Sequence, residues 1–366
     1  MRKQKNYTRI LVMGILFLSM AACNSENEET PQKQIDFELT PGTTMNYGET
    51  QDIALPSEVS AADDLEIALD YSLNENVKVT TTEYLNEKLS KAVTINKESK
   101  KISVNSNLLY PNSTVSSING LKLPDSYKII VNVSSKSQNF QGKQTVEFKI
   151  NPAKITIKGL DSKATIPVGY VIYGDAANFE LESPANVSSD TNWSIENQSS
   201  IGTEVSLNSN ILKFGSNAGD PDKKTEKAYD VTPILLKDGF RVASTTFRVI
   251  FIPKIKFFFG TYYPEYDLTI LLNNIHIALS NGYVSAAPTL SPATYKSSFA
   301  INGIKKDGQL FTDSENIFSI NEKTGSVTVK KSTALTEGAY EITVKALTTT
   351  GLEFLTTLTL NMSKAE

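Results

Sequence analysis

The chain has 366 residues, a formal net charge of −4, and one cysteine, one histidine and one tryptophan against fifteen tyrosines and sixteen phenylalanines. A single His and a single Cys cannot assemble a zinc site of the His/Cys kind, and the one His must serve in any Ser–His or Cys–His dyad. Without its first 22 residues, which hold four basic side chains and no acidic ones, the chain carries −8, a balance that argues against nucleic acid and against an anionic membrane surface.

Arg2, Lys3, Lys5 and Arg9 open the chain, residues 10–18 are apolar, and Ser19-Met20-Ala21-Ala22-Cys23 follows. A basic start, a short apolar core and small residues before a cleavage point describe an export signal over 1–22. The apolar run falls short of the roughly 20 residues a spanning helix needs. Met20-Ala21-Ala22-Cys23 resembles the bacterial lipobox, with Met20 where leucine is commoner. The resemblance implies lipidation of Cys23 and a membrane partner held through that anchor. With no second cysteine, no internal disulfide can form. Residues 23–34 are polar and acidic and read as a solvated tether. Ser25-Glu26 followed by Glu28-Glu29 resembles the surface-export signal of Bacteroidetes lipoproteins, interrupted by Asn27, which implies an outer-membrane protein facing the exterior.

From residue 35 onward the chain repeats itself at domain spacing. Residues 93–104, 205–214 and 318–329 each alternate apolar and polar, turn at small or polar residues, and alternate again, as a half-buried strand pair does. Each copy precedes a tyrosine that opens another alternating strand: Tyr127, Tyr229 and Tyr340. Asp238-Gly239 and Thr350-Gly351 supply residues tolerant of positive φ for tight turns. Pro152 and Pro253 each sit between two strand-like runs, where a missing N–H ends a ladder. The expected organisation is therefore all-β: three tandem antiparallel β-sandwich domains over 35–152, 153–253 and 254–366. A short helix is expected over 80–89, with Thr80 and Glu83 in capping-box spacing.

Residues 318–346 resemble the second half of a cadherin repeat. Its calcium ligands do not carry over, since only Glu337 is acidic in its segment and Thr348 stands where the late aspartate would be. No metal and no cofactor is expected.

Chemistry-bearing motifs are sparse, and no catalytic residue is assigned. Period two puts His276 opposite Ile275 and Ile277, on an outward face, and no glycine-rich phosphate loop precedes a helix. Asp63-Asp64 and Asp220 with Asp222 read as solvated loop acids. Aromatic residues give the one binding signal. Phe257 and Phe259 are expected to face a core, whereas Tyr262, Tyr263 and Tyr266, beside Gly260 and Pro264, are expected in or near a loop. A tyrosine ring offers an apolar face with a polar edge, which matches a pyranose with axial C–H bonds on one face and hydroxyls around its rim. Tyr283 and Tyr295 fall in a loop-like insertion over 280–299, and Trp193 is either a core residue or a further sugar platform.

Anchor and architecture together resemble the surface glycan-binding lipoproteins of polysaccharide-utilisation systems, in which immunoglobulin-like modules raise a glycan-binding domain. The resemblance implies a polysaccharide ligand and an outer-membrane transporter complex as partner. The alternative is a structural stalk or adhesin that contacts a protein or a host surface. Replacing Cys23 by serine should abolish incorporation of labelled palmitate; equal labelling of Cys23→Ser and wild type would contradict the lipobox reading.

Overall fold

The computed structural model describes residues 32–39, 43–219, 225–279 and 281–364. The export signal, Cys23, the tether up to residue 31 and the Asp220–Asp222 pair lie outside the described residues. About half of the chain is strand and under a tenth helix, arranged as tandem β-sandwiches.

In the first sandwich Phe140–Asn151 and Tyr127–Ser135 form the centre of one sheet, flanked by Glu66–Asp70, Lys33–Gln34 and Thr43–Asn46. Thr50–Ala54, Lys101–Asn105 and Val93–Asn96 make the facing sheet. Lys33–Gln34 runs parallel to Phe140 and Gln141, so the last two residues of the expected tether are already sheet, held by backbone pairing. The middle sandwich carries three sheets, one of them made of Val168–Ile172, Phe247–Ile252 and Lys227–Val231. The third is built on Asn274–Ala278, Glu353–Ser363, Gly338–Thr348 and Lys296–Lys306, opposed by Tyr283–Val284, Val327–Val329 and Phe318–Ile320. One topological feature recurs that alternation alone could not show. Thr43–Asn46, Val168–Ile172 and Asn274–Ala278 each run parallel to the last strand of their own sandwich.

The three repeated strand pairs form as expected: Val93 pairs with Val104, Val205 with Phe214, and Phe318 with Val329. Their turns contain Lys100, Ser209 and Gly325 at positive φ. The three repeated tyrosines are core residues. Each buries its ring against phenylalanine, with Tyr127 on Phe148, Tyr229 on Phe214 and Phe251, and Tyr340 on Phe318 and Phe311 at centroid distances of 5.3–5.7 Å. Each hydroxyl is tied to backbone upstream: Tyr127 donates to the Tyr110 carbonyl at 2.7 Å, Tyr229 accepts from the Gly219 N–H at 3.0 Å, and Tyr340 donates to the Thr336 carbonyl at 3.2 Å. The last is the geometry of a tyrosine corner, which pins the loop that enters the strand.

Three expectations change, and a fourth gains detail. The middle copy is not one strand after Tyr229, because Pro233 has no N–H to continue the ladder; Lys227–Val231 and Pro233–Lys237 belong to different sheets. The helix spans Leu85–Ala92. Thr80 caps only a preceding turn, accepting from the Glu83 N–H at 3.0 Å, and the helix opens where Glu87 accepts from the Tyr84 N–H at 2.9 Å. Asp64 is exposed in a turn, as expected, but it is anchored there: it accepts from the Ser135 and Ser137 hydroxyls and from the Lys136 and Ser137 N–H groups. The serine hydroxyls, foremost among these donors, hold its carboxyl far below the usual range. Finally, the described part of the expected insertion over 280–299, residues 281–299, is not loop-like. They carry Tyr283–Val284, Thr289–Ser291 and a short turn at Ala293–Tyr295, all part of the sandwich.

The buried side chains of the first two sandwiches form one continuous core. The turn at Asp238-Gly239, both at positive φ, reaches into the first sandwich. There Tyr110 donates to the Asp238 carboxylate, its ring lies 4.5 Å from Phe240, and the Ser117 N–H donates to the Gly239 carbonyl at 2.9 Å. A second core begins at Ile252 and fills the third sandwich.

Removing one buried hydroxyl leaves its backbone partner unpaired, which costs about 1 kcal/mol. Tyr340→Phe should therefore lower the urea midpoint of the third sandwich without changing the denaturant slope. An unchanged midpoint would show that the corner is decorative.

Candidate binding hairpin

The third sandwich departs from the middle one where its first strand changes sheets. In the middle sandwich Thr156–Ile157 and Val168–Ile172 are joined by an irregular segment. In the third, Lys256–Phe258 pairs with Thr289–Ser291, and the chain then runs out as a hairpin before returning as Asn274–Ala278. The hairpin pairs Gly260–Tyr263 with Leu268–Leu271, around a turn at Pro264–Tyr266. Neither of its strands joins another sheet. An isolated two-stranded ribbon is marginal in water, so its roots matter.

Those roots are specific. Phe259 is buried in the core, and its carbonyl accepts from the Leu272 N–H at 2.9 Å. The Thr289 hydroxyl donates to the Gly260 carbonyl at 2.6 Å. Gly260 itself has φ +146, and a Cβ there would stand 2.0 Å from the Ile270 carbonyl oxygen. Only glycine lets the two strands approach so closely at that bend. At the turn, Lys256 places its ammonium 4.1 Å from the centroid of the Tyr262 ring. Tyr262 donates to Asp267 at 2.7 Å, and Lys256 is paired with the same carboxylate. That pairing raises the Lys256 pKa.

Residues directly opposite in an antiparallel pair share a face. Tyr263 and Leu268 therefore lie together with Thr261 and Ile270, while Tyr262 and Thr269 lie with Gly260 and Leu271. Tyr266 at the turn is 80% exposed and Tyr263 42%. Leu268, Ile270, Leu271 and Leu272 are also exposed. The hairpin thus presents aromatic and aliphatic side chains to solvent in one short segment.

The expected site residues separate into exposed and engaged ones. Tyr263 and Tyr266 are open, the first on a strand and the second in the turn. Tyr262 is half-buried with its ring engaged by Lys256. Tyr295 is corrected from platform to seam: it is buried, and its hydroxyl donates to Glu226 of the middle sandwich at 2.7 Å. Burial, with Glu226 beside it, pushes that phenol well above its usual pKa. Tyr283 is half-buried against the third core. Trp193 is half-buried on the strand Asn192–Ile195. His276 is exposed on Asn274–Ala278. Among the described residues no three of His, Cys, Asp and Glu converge to hold a metal ion, and no helix is long and apolar enough to cross a membrane. The exposed aliphatic run beside the tyrosines was not anticipated. In sequence, a stretch such as Leu268-Thr269-Ile270-Leu271-Leu272 looks like a buried strand.

Residues 270–366 match the family described as "Surface glycan binding protein BT4661-like, N-terminal". The match begins inside the hairpin, after Tyr262, Tyr263 and Tyr266. No curated protein matches the chain. Among solved structures, extracellular domains 3–5 of Drosophila OTK are similar at 10% identity and a TM-score of 0.32, covering 92% of this chain and 98% of that one. Fibronectin(III)-like modules of Clostridium thermocellum CbhA are similar at 16% identity and 0.33, covering 58% and 95%. Drosophila N-cadherin EC1-3 is similar at 12% identity and 0.25, covering 89% and 99%.

Gly260→Ala should loosen the hairpin and leave the sandwich intact. Amide exchange is expected to quicken across 260–272 alone; unchanged exchange there would mean the bend tolerates a side chain.

Proposed function

We propose that the chain is a non-catalytic, cell-surface lipoprotein that binds glycan through the hairpin of its third sandwich, in the service of a polysaccharide-uptake system. The observation that carries this reading is the hairpin itself: an insertion at the strand switch that leaves Tyr263 and Tyr266 open to solvent. The match of residues 270–366 to a surface glycan-binding family supports it. A pyranose laid on a tyrosine ring buries its C–H face while its hydroxyls remain free to bond water or the phenol.

In this reading residues 1–22 are removed and lipid on Cys23 anchors the chain at the outer membrane. One acyl chain anchors weakly, and two or more anchor stably. The three modules, 35–152, 153–253 and 254–366, place the hairpin in the module farthest along the chain from that anchor. An outer-membrane transporter would then receive the captured glycan.

The second reading is a stalk or adhesin contacting a protein. It is favoured by Leu268, Ile270, Leu271 and Leu272, which stand exposed on the same hairpin and cannot bond hydroxyls. Exposed apolar clusters of this kind commonly mark protein contacts.

At about 1 kcal/mol per stacking contact, by analogy with aromatic pairs, the double variant Tyr263→Ala/Tyr266→Ala should weaken glycan binding by roughly 10- to 30-fold. Its circular dichroism should match wild type. A glycan array followed by calorimetry measures this. Full affinity in the double variant, or loss of a protein ligand on Leu271→Ser/Leu272→Ser with no glycan bound at all, favours the second reading.

A further inference from the structure

We propose a second carbohydrate site, for a neutral oligosaccharide, at the open edge of the middle sandwich around Trp193; it rests on the glycan reading above and deepens it. Asn192–Ile195 is an edge strand, paired only with Pro233–Lys237, and Val205–Asn208 is the edge strand of another sheet in the same sandwich. Between them lies a cleft of about 480 Å³, inside the ~300–1,000 Å³ range of small-molecule sites.

Its lining has the composition a sugar ring needs. Trp193 and Leu207 are apolar, half-buried and packed on one side against the core. Thr191, Asn192, Gln198 and Ser209 surround them with amides and hydroxyls. Gln198 is held in place, its amide N–H donating to the Gly202 and Val205 carbonyls at 2.6 and 3.0 Å. That leaves its carbonyl oxygen as an acceptor. Among the described residues neither the Trp193 indole N–H nor the Asn192 amide has a hydrogen-bond partner, and neither is an orphan sealed in the core. A buried indole N–H ordinarily finds a partner, and this half-buried one keeps its donor unused within the chain. An indole, amides and hydroxyls thus line one cleft within a few residues.

Charge selects the ligand class. No ionisable side chain lines this cleft, so it offers nothing to a uronate or a sulfate and imposes no desolvation of a charge. The larger cleft of the first sandwich, about 910 Å³, is different: Asp63, Glu66, Lys97 and Lys143 line it and no aromatic ring does. The neutral cleft with the indole is the one suited to a neutral sugar.

Trp193 is the sole tryptophan of the chain, so indole emission reports on this cleft and nowhere else. The test titrates the full chain with hexasaccharides of starch, cellulose, mannan and xylan, and with the acidic hexasaccharide of polygalacturonate, reading emission and iodide quenching. At least one neutral hexasaccharide should shift the emission saturably and shield Trp193 from iodide, while the acidic one should not. Trp193→Leu should remove binding at this cleft. Asn192→Ala takes away one exposed amide and keeps the test valid if the leucine variant misfolds; it should weaken the titration by about three- to tenfold, the loss of a hydrogen bond of ~1 kcal/mol, with melting unchanged. Silent emission and unchanged quenching with every sugar overturn the site. Calorimetry on the same samples keeps the two proposals apart: hairpin-dependent heat with a silent Trp193 removes this site and preserves the hairpin reading.

Discussion

A buried phenol must find a hydrogen-bond partner, and in each sandwich that requirement determines where the loop before one strand can lie. Tyr127, Tyr229 and Tyr340 are inside their cores, and each ties its hydroxyl to backbone upstream of its own strand. The chain has one cysteine, so no bond crosses from sheet to sheet in the way a disulfide would. The tie is made instead by a side chain that is mostly apolar and can be buried cheaply once its oxygen is satisfied. Once the loop and strand are set, alternation along the following strands closes the rest of the core.

What this leaves free is the segment that precedes the strand running parallel to the last one. An early strand runs parallel to the last in all three sandwiches, and in the middle and third a short strand before it joins a different sheet. The segment between those two pairings makes no hydrogen bond to the tyrosine hydroxyl. In the third sandwich it has become a hairpin, rooted by Phe259 and Gly260 and steadied by Lys256 and Asp267. A scaffold whose core closes without this segment can carry exposed aromatic and aliphatic side chains there at little cost to folding. The joint between the first two sandwiches has the opposite character. Asp238 and Gly239 are driven into the neighbouring module, and their contacts with Tyr110 and Ser117 merge two cores into one.

The repeated strand pairs could be read from the sequence because period-two alternation and a turn residue are both local. Phe318 to Val329 needed nothing beyond its own twelve positions, and the tyrosines that open the next strand stood out in the same pattern, although their burial did not. The parallel early strands and the merged core depend on pairings far apart in the chain, and no local pattern encodes them. Pro233 shows a signal that was present and undervalued: the missing N–H splits one run between two sheets. For the candidate site, the tyrosines stood out by composition, but their surroundings did not. Tyr295 reads the same as Tyr266 in sequence, yet one hydroxyl meets Glu226 across a seam and the other is in water. Leu268 to Leu272 carries the clearest misdirection, since an apolar run normally means burial and here does not.

The central claim is that the hairpin is a binding element added to a sandwich that does not need it. Replacing residues 261–270 by a two-residue turn tests this directly, because Phe259, Gly260 and Leu272 can still close the root. The account predicts an unchanged melting transition for the third sandwich, together with loss of hairpin-dependent glycan heat in calorimetry. A chain that keeps full glycan affinity without the hairpin, or a sandwich that no longer folds, would contradict it.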